Sequence, residues 1–164
     1  MVPFRSELTI DRSAMEVWEY AADIDRHPTW MSVTDARIVH GRSTEVGTRA
    51  HESVKIGPRR QTIEFEVAEA EPGRRLAYRV LSGPMRGEVA MDLEAIGPES
   101  TRVVWAGSLG LTGLMRLVEP LFAGEIRAGE AAELVRLKQR LEVAPAAAPA
   151  TSDGVGLVPD QRQV

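Results

Sequence analysis

Along residues 4–10 the apolar Phe4, Leu8 and Ile10 share one parity with Ser6, while Arg5, Glu7 and Thr9 take the other. This period-two pattern predicts a strand with one wet face. Ser13-Ala14-Met15-Glu16 reads as a capping box that opens a short helix, with Met15, Trp18, Ala21 and Ala22 on its buried face. Asp23 to Trp30 predicts a second short helix or turn, stopped near His27-Pro28. From residue 33 to about 109 the pattern is strands separated by turn chemistry at Gly57-Pro58, Pro72-Gly73, Gly83-Pro84 and Gly97-Pro98. Turns roughly ten to fifteen residues apart leave no room for helical crossovers, so the sheet is expected to be an antiparallel meander. Within it Ile63, Phe65 and Val67, and again Val89, Met91 and Leu93, alternate with polar or small residues and define one apolar face.

Residues 113–142 carry helical spacing. Leu114, Leu117 and Leu121 form a first stripe and Leu134, Leu137 and Leu141 its continuation, with a kink or break expected at Pro120. The expected fold is α+β: a curved antiparallel sheet of about seven strands wrapped around a long C-terminal helix, with two short helices after the first strand.

Composition narrows what such a domain does. The 164 residues, 43% hydrophobic and 27% charged, suit one soluble globular domain with a core of its own. A net charge of −4 and a pI of about 5.5 argue against a nucleic-acid partner. Aromatics are only 5%, so a pocket would be walled mainly by aliphatic side chains. There is no cysteine, hence no disulfide and no thiolate nucleophile. The opening Met1-Val2-Pro3-Phe4-Arg5-Ser6-Glu7 lacks the apolar stretch of a signal peptide, and no window is long and apolar enough for a membrane span. The expectation is a cytoplasmic protein, monomeric or homodimeric. Residues 143–164 are rich in alanine and proline and hold no aromatic residue, which predicts a disordered tail behind a domain of residues 1–142.

Candidate chemistry is sparse. His27, His40 and His51 include no pair at metal-site spacing, so neither a metal nor another cofactor is expected. His51 and Glu52 are neighbours within a strand, so one faces the interior and the other water. An inward Glu52 would have its pKa raised by desolvation and act as a general acid or base; an inward His51 would shuttle protons near neutral pH. Tyr78 shares a strand face with Leu76 and Val80, and its hydroxyl would need a partner inside. Trp30, Tyr78, Met91 and Trp105 on the sheet side, with Leu114, Leu117, Leu121 and Phe122 on the helix side, are the expected pocket lining.

Several stretches together resemble the START/Bet v 1-like (SRPBCC) superfamily, in particular its polyketide cyclase/dehydrase-like members. They are Val17-Trp18 leading to Ala22-Asp23 and His27-Pro28-Thr29-Trp30; Val46-Gly47-Thr48; Glu71-Pro72-Gly73-Arg74-Arg75-Leu76-Ala77; and Leu134-Val135-Arg136-Leu137-Lys138 running to Leu141-Glu142. The resemblance covers about residues 4–142 and implies a helix-grip fold with a deep cavity between sheet and C-terminal helix. Across that superfamily the cavity holds lipids, sterols, polyketides and similar ligands, without implying one reaction. Three readings stay open: a binder of an apolar or amphipathic small molecule, a cyclase or dehydratase using Glu52, His51 or Tyr78 as acid/base, and a protein-interaction module working through the outer sheet face. A cavity containing a buried polar group with a perturbed pKa favours the enzyme, a purely aliphatic cavity the carrier, and a filled core the interaction module.

Overall fold

The computed structural model describes residues 1–56 and 59–143. The Gly57-Pro58 turn and almost all of the Ala/Pro-rich tail lie outside the described residues. Strand β1 (Val2–Ile10) is followed by helix α1 (Ala14–Ala22), a 3₁₀ turn (Ile24–Arg26) and the one-turn helix α2 (His27–Trp30). Six strands follow: β2 (Val33–His40), β3 (Arg49–Ile56), β4 (Arg59–Glu71), β5 (Arg75–Ser82), β6 (Met85–Gly97) and β7 (Ser100–Leu111). A second 3₁₀ turn (Gly113–Leu117) leads into α3 (Glu119–Val143).

The seven strands form one antiparallel sheet in the order β1-β7-β6-β5-β4-β3-β2. This is a meander from β2 to β7, with β1 added at the far edge. The β1 alternation appears as expected, with Phe4 and Ile10 buried and Arg5, Glu7 and Thr9 facing out. Ile63, Phe65, Val67, Met91 and Leu93 are buried on the same concave face. The convex face carries ion pairs across strands: Arg75 with Glu69 and Asp92, Arg79 with Glu88 and Glu66, Arg102 with Glu7 and Glu94. Among the described residues no helix is long and apolar enough to cross a membrane.

The Ser13 hydroxyl accepts the Glu16 N–H while the Glu16 carboxylate accepts the Ser13 N–H, closing the capping box that starts α1. Val17, Trp18, Ala21 and Ala22 are buried, whereas Met15, placed on that face by sequence, is 46% exposed. Nor does Pro28 stop the second helix. It occupies the first turn of α2, where its missing N–H would have had no partner.

Of the kink or break expected at Pro120 the structure shows a break: a 3₁₀ turn ends at Leu117 and α3 begins at Glu119, with Pro120 in its first turn. The leucine stripe is also not continuous. Leu134, Leu137 and Leu141 are buried, but Leu114, Leu117 and Leu121 are 86%, 80% and 79% exposed. Leu114 and Leu117 belong to the tighter 3₁₀ turn, whose side-chain phase does not carry into α3. Leu121 sits roughly 140° around the helix from Leu134, counted at the rise and turn of a straight α-helix. The inward stripe of α3 is instead Ile126, Glu130, Glu133, Leu134, Leu137 and Leu141.

Candidate ligand-binding cavity

Helix α3 packs chiefly along β1, with further contacts to α2 and β7. Its N-terminal half therefore does not close completely over the concave face of β3 to β6, and a cavity of about 260 Å³ remains between them. Aliphatic and aromatic side chains make most of its wall, among them Met31, Val54, Ile63, Phe65, Val89 and Ile126. Lys55 and Glu125, both exposed, stand at its rim.

Strand pleating decides between His51 and Glu52. Glu52 lies opposite Ile63 in the β3/β4 ladder, lines the cavity and is 8% exposed; His51 lies opposite Glu64 and belongs to the convex face. Glu52 meets a residue to which the sequence had assigned no role. His27, fully buried where the 3₁₀ turn passes into α2, donates its Nδ1–H to Glu52 Oε1 at 2.5 Å. With Nδ1 engaged by Glu52, Nε2 faces the Tyr78 hydroxyl, 3.1 Å away. The Ala21 carbonyl, one of the unpaired acceptors at the end of α1, lies 3.2 Å from Nε2 and 3.3 Å from the Tyr78 oxygen. It offers the acceptor that a doubly protonated imidazole would need. Burial, reinforced by the negative charges of Glu52 and Asp23, pushes the Tyr78 hydroxyl well above the usual tyrosine range. Tyr78 therefore keeps its proton and acts as a hydrogen-bond donor here.

A second polar group comes from α3. Trp105 on β7 donates its Nε1–H to Glu130 Oε2 at 2.9 Å. Glu133, one turn on, accepts the Ser32 N–H at 2.6 Å and lies 3.7 Å from Arg136. Arg136 itself donates to the Trp30 carbonyl and the Ser32 hydroxyl, fastening α3 to the start of β2. Burial, with the nearby Glu133 charge adding to it, pushes Glu130 up to about 8; burial also raises Glu133.

The expected lining residues divide three ways. Tyr78 and Trp105 line the cavity. Trp30 and Met91 are fully buried in the core beside it, with the Trp30 ring edge-on to His27 and Trp105. Leu114, Leu117 and Leu121 are in solvent, and half-buried Phe122 is not among the lining residues. Glu130 and Glu133 went unnoticed although their spacing to Leu134 and Leu137, four residues on in each case, places them on the buried stripe. His27 left no comparable signal, because its partner is 25 residues away. Among the described residues no group of histidine, aspartate and glutamate side chains is placed to hold a metal ion.

Comparison with known proteins agrees with this architecture. A protein of Thermus thermophilus superposes with a TM-score of 0.71 at 20% identity, covering 85% of this chain and 97% of that one. The Zhui aromatase/cyclase from Streptomyces sp. R1128 gives 0.73 at 15% identity, covering 85% and 93%. The di-domain ARO/CYC protein BexL from the BE-7585A biosynthetic pathway gives 0.69 at 14% identity, with 87% of this chain matched to 47% of that one. At these identities the likeness speaks for the fold, which is the helix grip. No curated protein matches by sequence. The sequence profile of the family described as polyketide cyclase / dehydrase and lipid transport matches residues 1–142, and the chain belongs to that family.

Proposed function

We propose that the protein binds an apolar or amphipathic small molecule in the cavity between α3 and the concave sheet face. The observation that carries this reading is the cavity itself, about 260 Å³ walled mostly by hydrocarbon. Hydrocarbon makes most of the wall, so the hydrophobic effect supplies most of the affinity, and the polar side chains that reach it, Glu52, Tyr78, Glu130 and Glu133 among them, set orientation. An interaction module acting through the convex face gains no comparable support, since that face is covered with paired charges.

The test is titration with an environment-sensitive hydrophobic dye. Gly129 lines the cavity, and a side chain added there meets no atom within 4 Å. Gly129→Leu is expected to fill part of the space and weaken dye binding at least about tenfold, the equivalent of roughly 1.4 kcal/mol. Gly124, exposed and facing open space on the same helix, serves as the control, and Gly124→Leu is expected to bind as the wild type does. A wild-type protein that binds no dye, or two variants that behave alike, would refute the reading.

The Glu52–His27–Tyr78 chain favours a second reading, an enzyme of the cyclase or dehydratase type. In it His27 Nε2, backed by Glu52 at Nδ1, takes a proton from bound substrate, which releases the Tyr78 hydroxyl from Nε2 to donate its hydrogen bond to the developing oxyanion. Aromatase/cyclases among the structural neighbours support this chemistry by analogy of fold.

A further inference from the structure

The cavity contains three largely buried carboxyl groups and, among the described residues, no buried lysine or arginine to balance them. Glu52, Glu130 and Glu133 line it; the lysine that does so, Lys55, is exposed at the rim, and no arginine contributes to the wall. Each acid is held differently. Glu52 is engaged by His27 Nδ1, and Glu133 by the Ser32 N–H and, more distantly, by Arg136. Glu130 accepts one hydrogen bond, from Trp105 to Oε2, and its Oε1 has no hydrogen-bond partner among the described residues. A carboxylate turned into a hydrocarbon-walled space is costly unless it is paired or neutralised.

We infer that the ligand is a cationic amphiphile, an apolar body carrying a protonated amine, and that Glu130 with Glu133 is the counter-ion that receives the amine. This rests on the cavity being a ligand site and goes beyond that reading by fixing the ligand's charge. A bound ammonium supplies the N–H donors that Glu130 Oε1 lacks and relieves the repulsion between the two glutamates. The hydrocarbon body replaces water against Ile63, Val89 and Ile126. An anionic ligand of the same shape, such as a fatty acid, finds among the described residues no buried lysine or arginine in the wall and meets like charge wherever these acids are ionised.

Protonation makes the selectivity depend on pH. Glu133 and Glu125 on α3, Glu52 and Lys55 on β3, Tyr78 on β5, His27 at the start of α2 and, nearly two turns along α3, Arg136 are, among the described residues, the charged and titratable groups around Glu130. Without ligand Glu130 holds its proton up to about pH 8. An ammonium favours the ionised carboxylate, so its binding releases a proton, and its affinity rises with pH until Glu130 is ionised without help.

Three eight-carbon probes of matched shape, octylamine, octanol and octanoate, separate this inference from the reading beneath it. Each is used to displace the hydrophobic dye from the full chain. At about pH 8 octylamine is expected to bind at least about tenfold more tightly than octanol, and octanoate more weakly than either. In the Glu130→Gln, Glu133→Gln double variant the ratio of octylamine to octanol affinity should fall to near one. Should that variant fold poorly, the wild type supplies an independent measurement: the same ratio grows between about pH 6 and about pH 8. Octanol binding with a ratio near one in the wild type, or octanoate binding as well as octylamine, overturns the charge assignment and leaves the cavity reading intact. Failure of all three probes and of the dye overturns both.

Discussion

The hydrogen bond between His27 and Glu52 joins a turn after α1 to the middle of β3, and each buried side chain satisfies the other. Removing one partner leaves the other buried and unpaired, which costs more than the bond itself contributes. Glu52→Ala is therefore expected to lower stability by about 1–3 kcal/mol, read from urea midpoints at constant slope. His51→Ala, one residue away on the convex face, should stay within about 0.5 kcal/mol of wild type. Equal losses at the two positions would mean that Glu52 is not held as the geometry indicates. The choice between these neighbours was out of reach of the sequence, because strand alternation says that they point opposite ways but not which way is inward.

At the scale of elements, β6 and β7 form a long pairing that carries Met85, Val89, Trp105 and Leu109 to the cavity. Their close approach depends on Gly87, which adopts a φ of 136° and whose missing Cβ would lie 1.9 Å from the Ser108 carbonyl oxygen. No side chain fits there without moving one strand off the other. Gly87→Ala is expected to cost at least about 2 kcal/mol in chemical denaturation, the sum of backbone strain and lost pairing. A change below about 0.5 kcal/mol would show that the strand edge adapts. Most strands were legible from alternation and from Gly/Pro turns. The end of the sheet is followed by a helical stretch broken before Pro120, as expected, but its first segment, Gly113–Leu117, takes a 3₁₀ path, and Pro120 serves as a start signal for α3.

For the whole molecule, the raised carboxyls on α3 make stability depend on pH in a stated direction. Glu130 moves from 4.5 in the unfolded reference to about 8 in the fold, and Glu133 moves the same way. A carboxyl that binds its proton more tightly when folded stabilises the fold while protonated, and that contribution declines as pH rises through the folded value. Glutamates with lowered values, such as Glu16 and Glu142, lose their contribution only as pH falls through and below the ordinary carboxylate range. Between about pH 5 and about pH 8 the wild type should thus lose at least about 1 kcal/mol relative to the Glu130→Gln, Glu133→Gln double variant, since one pKa unit is worth about 1.4 kcal/mol. Parallel profiles for the two proteins in denaturant titrations would contradict the burial of these acids. What the sequence by itself determined was the antiparallel meander and the inward face of β1, β4 and β6, because these follow from local periodicity and turn chemistry, and the family, because its characteristic stretches stand in order along residues 4–142. What only the tertiary structure decided was the phase of α3 against the sheet. The cavity residues His27 and Glu52 lie near one end of the chain and Glu130 near the other, and no local rule fixes which helix face will meet a sheet so distant in sequence. That phase brought Glu130 and Glu133 into the cavity and left Leu121 in solvent.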